Sequence, residues 1–247
     1  APRQRSNPIE MTRFPRYAIY YAPPEASLLD QFGTSLLGYD ARSGENVAFA
    51  DGITEAIADW RELTEDARKY GFHATLKAPF GLIDGRSEAD LVAACANFAA
   101  VPRAIPVIRP VVDAISGFIA VVPGDRSDTL QGLAADCVRA FDPFRAPITP
   151  EDRARRKPEA LTPRQVEYLD LWGYPYVMEE FRLHMTLTCR LEAARRGPIL
   201  AMLQARFAEM KLAQLAIDQI VLFRQFDPRA RFRIIGSWPL AGGASPA

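Results

Sequence analysis

Apolar and polar positions alternate along this chain with two different periods, and the places where the period changes outline the elements. The run from Arg16 to Ala22 is aromatic and aliphatic and stops at Pro23-Pro24, which predicts a first strand ending in a turn. Over residues 25–37 the spacing of Leu28, Leu29, Phe32 and Leu36 is helical, and Gly38 stands where such a helix would end. A second helical pattern covers Thr54 to Tyr70, with a break expected at Leu63-Thr64. A strand follows over Phe72 to Phe80, then an Ala-rich helix over Ser87 to Ala100 with Ser87 as its cap and Asp90 in the first turn. Ile105 to Asp113 and Phe118 to Val122 are β-branched runs joined by Ser116-Gly117, a hairpin signal.

Asp128 to Phe141 is again helical, after which periodicity is lost. Residues 142–163 are rich in Pro and Arg and predict a long excursion between two halves. The second half then repeats the order of the first: a strand around Arg182 to Leu191, a helix from Pro198 to Leu212, and strands over Ala216 to Phe226 and Arg231 to Leu240. A unit of strand, helix, strand, strand used twice is the signature of a duplication.

Each half holds one copy of a short motif. The chain's two histidines open His73-Ala74-Thr75-Leu76 and His184-Met185-Thr186-Leu187. Side chains two apart share a face of a strand. Arg182, His184, Thr186, Thr188 and Arg190 therefore fall on one face, and Phe181, Leu183, Met185, Leu187 and Cys189 on the other. His73, Thr75 and Lys77 likewise oppose Phe72, Ala74, Leu76 and Ala78. The polar faces offer imidazole, hydroxyl and cation with no carboxylate, the outline of an anion site.

Composition narrows the classes. At 49% hydrophobic and 24% charged, with 30 basic and 30 acidic side chains, the chain reads as a soluble globular protein with no global pull toward nucleic acid or an anionic membrane. No run approaches the 18 or so apolar residues of a membrane span. Its three cysteines, Cys95, Cys137 and Cys189, are scattered, which argues against a disulfide framework or a zinc site and fits a cytoplasmic location. Residues 1–15 are expected to form a disordered leader, 16–240 one bilobal domain with lobes of roughly 16–141 and 164–240 that exchange strands, and 241–247 a tail.

Cleaving a phosphodiester takes a base for the attacking oxygen and an acid for the leaving oxygen. Histidine serves both roles because its unperturbed pKa lies near 6.5. His73 and His184 are therefore the catalytic candidates. Thr75 and Thr186 can donate to non-bridging oxygens, and Lys77 and Arg182, or Arg190, can offset the developing charge. Tyr20 and Tyr174 are candidate substrate contacts, with Trp172 and Tyr176 alternatives of the same kind. In-line displacement would hold the imidazoles about 5 to 7 Å apart across one phosphate. The run Arg153, Arg155, Arg156, Lys157 is either a solvated face or a lid over an anionic substrate. Neither G-x-x-x-x-G-K-[ST] nor G-x-G-x-x-G occurs.

Two His-x-Thr-x motifs, one per half, resemble those of the two-histidine phosphoesterase superfamily, which includes RNA 2',3'-cyclic phosphodiesterases and the so-called 2'-5' RNA ligases. The strings Tyr70 to Lys77 and Phe181 to Thr188, with Arg16 to Pro23 and Trp172-Gly173-Tyr174-Pro175, are similar to the branch often encoded beside carbon–phosphorus lyase genes. The resemblance implies a LigT-like α+β fold: two antiparallel sheets facing a central cleft, helices on the outer faces, and a His-Thr pair from each lobe. It implies a metal-independent phosphodiesterase without cofactor, acting on a nucleotide, a sugar phosphate or an RNA end, with no obligate protein partner. The competing reading is a non-catalytic binder of phosphate or phosphonate compounds using the same cleft. A metal hydrolase would need a third ligand that two histidines on separate strands do not supply.

Overall fold

The computed structural model describes residues 13–243. Most of the expected leader and the last four residues of the expected tail lie outside the described residues. Within them, Arg13 pairs with Asp84 at 2.6 Å, and the amides of Ala241 and Gly243 donate to the carbonyls of Ala99 and Arg103.

Among the described residues nine strands occur: β1 Arg16–Tyr21, β2 Ala74–Gly81, β3 Val107–Ile108, β4 Pro110–Ile115, β5 Phe118–Pro123, β6 Met185–Thr186, β7 Leu215–Ala216, β8 Gln219–Gln225 and β9 Arg233–Pro239. Seven form a fully antiparallel sheet in the order β4-β5-β6-β2-β1-β8-β9, while β3 and β7 pair separately. The α+β class thus holds. The sheet's two sections, β2-β1-β8-β9 and β4-β5-β6, meet edge to edge at β2 and β6 through one residue pair, Ala74 opposite Met185. Each half of the chain supplies strands to both sections. The first gives β1 and β2 to one and β4 and β5 to the other; the second gives β8 and β9, then β6. The two histidine motifs are thereby brought to a common seam.

One face of the sheet carries the main core. Tyr17, Ile19, Tyr21, Leu76, Met185 and Leu222 pack there with Leu91 and Cys95 of the helix Glu88–Ala100, Leu133 and Phe141 of the helix Asp128–Phe141, and Ile199 and Leu203 of the helix Ala193–Glu209. Full burial of one such aliphatic side chain contributes roughly 1.5–3 kcal/mol. Stability is therefore concentrated on this side. The opposite face of β1 and β8 holds a smaller cluster of Ala18, Tyr20, Val221 and Phe223 capped by Tyr39 and Phe232. That leaves the neighbouring stretch of β2 and β6 available for polar groups.

Local chemistry accounts for most boundaries. Ser87 and Asp90 form a reciprocal capping box at the helix they begin. Gly38, at φ 67°, closes the helix Leu28–Leu37 in the left-handed conformation that glycine tolerates. Ser116 and Gly117, both at positive φ, make the two-residue turn of the β4–β5 hairpin. The helix expected over residues 54–70 is instead three short ones, Ile53–Ala56, Trp60–Leu63 and Glu65–Arg68. Trp60 is fully buried there and donates its indole N–H to the Leu36 carbonyl at 2.8 Å.

Two further differences matter for the site. The Pro/Arg-rich excursion contains the short helix Pro150–Arg155 and is followed by the helix Pro163–Trp172, opened by a Thr162/Gln165 capping box and ended by Gly173 at φ 73°. The strand expected over Arg182 to Leu191 enters the ladder only at Met185–Thr186.

Candidate active site

Antiparallel pairing of Ala74 with Met185 determines what lies across the seam. Carried one residue in each direction, the register sets His73 across from Thr186 and Thr75 across from His184. Residues opposite one another in an antiparallel pair share a face, so all four side chains belong to one side of the sheet. The two histidines then stand diagonally, a relation that sets such neighbours about 7–8 Å apart, their Cβ atoms somewhat closer.

The same local hydrogen bond orients both rings. His73 Nδ1 lies 2.9 Å from the Gly71 carbonyl, and His184 Nδ1 lies 2.8 Å from the Arg182 carbonyl, two residues back in each motif. A carbonyl oxygen only accepts, so Nδ1 carries the proton in both rings and each Nε2 is left with its lone pair. Gly71 can present its carbonyl this way because it sits at φ 77°. A Cβ there would come within 2.7 Å of the Ala41 methyl.

The surroundings differ. His73 is half-buried and stacks on Tyr20, ring centroids 3.9 Å apart, with Tyr70 and Phe223 each at 5.9 Å. Burial drives its pKa down to about 4, against the pull of the Gly71 carbonyl, and the His184 imidazole lowers it further. His184 has one aromatic neighbour, Phe118, at 5.5 Å, and its pKa is lowered by burial against the pull of the Arg182 carbonyl. His73 Nε2 accepts a long hydrogen bond of 3.4 Å from the Thr75 hydroxyl.

A cavity of about 440 Å³ opens at the seam, with Thr75, His184, Arg182, Arg190, Tyr174 and Phe118 among its lining residues. His73 is not part of the lining itself and reaches it through Thr75. Thr186 pairs with Ala120 in the β5–β6 ladder and does not line the cavity either. Tyr20 is buried beneath His73, so what the structure gives it is ring stacking. Tyr174 is half-buried, edge-on to Tyr176, with the Arg156 guanidinium over its face at 5.0 Å.

Lys77 is carried elsewhere. The β1–β2 register shifts between Tyr20, which faces Thr75, and Ile19, which faces Lys77. Such an irregularity re-aims the next side chain. The Lys77 ammonium is consequently buried, 2.7 Å from Asp142, 3.4 Å from the Val138 carbonyl and 5.9 Å from the centre of the Trp172 ring. Burial lowers its pKa to about 8 against the pull of Asp142. Thr188 also leaves the polar face. The amides of Leu187 and Thr188 both point at the Ile119 carbonyl, and the fully buried Thr188 hydroxyl accepts from Ile119 N and donates to the Cys189 carbonyl.

Strand alternation within the motifs does not reveal the partners outside them. Tyr70 is three residues before His73 and reaches it only because Gly71 turns the chain. Gln165 and Glu180, hydrogen-bonded at 2.9 Å, line the cavity from the helix Pro163–Trp172 and the loop after it and add a carboxylate absent from the motif faces. Among the described residues, no group of three His, Cys, Asp or Glu side chains is placed to hold a metal ion, and no helix is long and apolar enough to cross a membrane.

Comparison with known proteins gives three findings. The family described as "Protein of unknown function (DUF1045)" matches residues 75–233. Two curated relatives each bear the name ribose 1,5-bisphosphate phosphokinase PhnN. That of Janthinobacterium sp. (strain Marseille) is 39% identical over 227 residues, 88% of this chain and 49% of the relative. That of Laribacter hongkongensis (strain HLHK9) is 34% identical over 232 residues, 93% of this chain and 53% of the relative. The chain thus spans about half the length of these relatives. Among solved structures, E. coli LigT complexed with 3'-AMP aligns with a TM-score of 0.41 at 12% identity, covering 92% of this chain and 98% of LigT. The LigT complex with NADP+ aligns with a TM-score of 0.41 at 14% identity and the same coverage.

Proposed function

The chain belongs to the DUF1045 family, and for this member we propose a metal-independent phosphodiesterase that hydrolyses or transesterifies a phosphodiester, cyclic in the favoured case, by paired histidine acid–base catalysis. One observation carries the reading. Two histidines from opposite halves of the chain share one face of the seam, and each is held with Nδ1 on a backbone carbonyl so that Nε2 keeps its lone pair, met in His73 only by the long bond from the Thr75 hydroxyl. A structural histidine has no reason to present its second nitrogen as an acceptor in this matched way, whereas proton transfer requires it.

In this reading the scissile phosphate lies between the rings. His73, kept neutral by burial, accepts the proton of the attacking water or hydroxyl at Nε2, the new P–O bond forms, and the old one breaks on the far side. His184, protonated at Nε2 once an anion sits beside it, delivers that proton to the leaving oxygen. The hydroxyls of Thr75 and Thr186 donate to the non-bridging oxygens, and Arg182, with Arg190, offsets the charge gathering there. Tyr174 forms a wall for whatever the phosphate carries. Of the candidate substrates, the names of the two curated relatives favour a sugar phosphate over a nucleotide or an RNA end. Their kinase activity is not transferred to this chain, which spans about half of each and contains neither phosphate-cradling glycine loop.

The test is a panel of cyclic sugar phosphates, 2',3'-cyclic nucleotides and short oligonucleotides, followed by phosphorus NMR. Conversion of at least one cyclic ester to a phosphomonoester is expected. Micromolar protein that leaves the whole panel unchanged over a day sinks the reading.

A further inference from the structure

A second cavity, of about 270 Å³, adjoins the first, and its walls are strongly basic. Arg13, Arg16, Lys69, Arg145, Arg155 and Arg156 line it together with Tyr70. Asp152 is the one carboxylate among the lining residues. It pairs with Arg155 at 2.7 Å, Arg145 pairs with Asp142 at 2.8 Å, and Arg13 with Asp84. Arg16, Lys69 and Arg156 have no carboxylate partner among the described residues. The chain as a whole has no net charge, so an excess of cations in one concavity is a local arrangement.

Parts of this cavity are held in place. Arg16 donates from Nε to Gln225 at 3.0 Å, and its guanidinium lies over the Phe232 ring at 5.6 Å. Arg145 is locked by Asp142 and by the Leu171 carbonyl at 3.0 Å, and it packs against Gly173. The buried Thr149 caps the short helix that carries Arg155, with Arg156 next along the chain. At about 10–15 Å³ per water, the volume admits a hydrated phosphoryl group with room to spare. The Pro/Arg-rich excursion therefore forms a wall of the cavity. Arg155 and Arg156 face the cavity, while Arg153 is turned away to Asp170 at 2.7 Å.

One aromatic layer separates the two cavities. Tyr70 lines the basic one, and its ring centre is 5.9 Å from that of His73. Arg156 lines the basic one and covers Tyr174, which lines the histidine cavity. We propose that the basic cavity is a second anion subsite, which holds a phosphoryl group carried by the same substrate whose scissile phosphodiester lies between His73 and His184. The preferred substrate is then a cyclic phosphodiester with a second, distal phosphate. This rests on the phosphodiesterase reading, and the experiment separates the two.

The probes are 2',3'-cyclic AMP and its 5'-phosphorylated counterpart. In the unaltered protein kcat/KM should favour the phosphorylated compound by about tenfold or more, the discrimination one charge-assisted phosphate contact supplies. Lys69→Gln, which strands no partner, and Arg16→Gln should each bring that ratio toward one, with thermal melts showing both variants folded. Calorimetric binding of the phosphorylated compound and of inorganic phosphate runs in parallel. Turnover with a ratio near one, or a ratio indifferent to both substitutions, overturns the second subsite and leaves the phosphodiesterase. Binding that weakens at least tenfold in Lys69→Gln, without turnover of either probe or of any cyclic ester in the panel above, leaves the subsite and overturns the phosphodiesterase. Inorganic phosphate that binds as tightly as the phosphorylated probe, yet leaves its turnover undiminished, assigns the cavity to a free anion and overturns the shared-substrate assignment.

Discussion

The two histidine motifs are built to the same local plan and set in different surroundings. Both rings give Nδ1–H to the carbonyl two residues back, and both strands keep a Thr two residues on. His73, however, precedes an eight-residue strand in the middle of the sheet and lies against Tyr20, Tyr70 and Phe223. His184 precedes a two-residue strand and sits in the open cavity with Arg182 and Arg190. Local sequence thus fixes the tautomer, which is common to both. The packing around each copy, which sets proton affinity, is not: burial among aromatic rings takes His73 down to about 4, and burial lowers His184 in the open cavity too. Two copies of one motif can in this way serve opposite halves of a proton transfer.

The largest effect that tests this pairing is loss of either ring. His73→Ala or His184→Ala should each lower kcat by roughly 10²- to 10⁴-fold, the range for a general acid or base, with circular dichroism unchanged. If both act on one phosphate, as proposed, the double variant should be little worse than the poorer single one. Two losses that multiply, or either variant turning over normally, would show that the motifs do not work as a unit.

A smaller effect probes the difference between the copies. His73 in the folded chain has its pKa near 4, below the unfolded value near 6.5. Between those two values the unfolded chain binds a proton that the folded chain refuses. Folding stability from this group is therefore complete above about pH 6.5 and is lost as pH falls toward 4, by about 3 kcal/mol in all. Urea titrations across that window should show the loss in the unaltered protein and a much flatter profile in His73→Gln. Tyr20→Leu, which removes the stacked ring and admits water, should raise the NMR titration midpoint of His73 above its value near 4, toward the unperturbed 6.5. Equal midpoints in the unaltered protein would erase the asymmetry.

How far the sequence anticipates this arrangement varies with the kind of information involved. The period-two pattern identifies His73, Thr75, His184 and Thr186 as one polar set, because alternation is a property of the strand alone. It fails at Lys77, where the ladder slips, and at Thr188, past the end of β6, and in both a side chain predicted to be wet is turned inward. Nothing within the strand's own residues announces a slip that depends on its partner's register. The helix Pro163–Trp172 carries legible signals, Thr162 with Gln165 at its start and Gly173 after its end, but the Pro-rich stretch before it masks them. Tyr20 reads as a base-stacking candidate from its sequence surroundings. Only the β1–β2 pairing reveals that the ring it stacks on is His73.

The smallest expected effect is none at all, and it bears on what the two motifs share. A phosphodiester passing through a crowded, highly charged intermediate needs positive charge or hydrogen-bond donors nearby, and a metal ion is one common supplier. Here the cavity offers the Thr75 hydroxyl, Arg182 and Arg190, while the described carboxylate of the cavity, Glu180, is engaged by Gln165. The two imidazoles stand on separate strands with no third ligand grouped with them among the described residues. Exhaustive chelation followed by assay in metal-free buffer should therefore change kcat/KM by less than about twofold, within the scatter of well-satisfied hydrogen-bonded sites. Activity abolished by chelator and restored by zinc or manganese would mean that the free Nε2 atoms are ligands instead of proton carriers. The matched Nδ1 bonds would then serve metal binding, since a carbonyl that fixes the tautomer orients a ligating histidine in the same way.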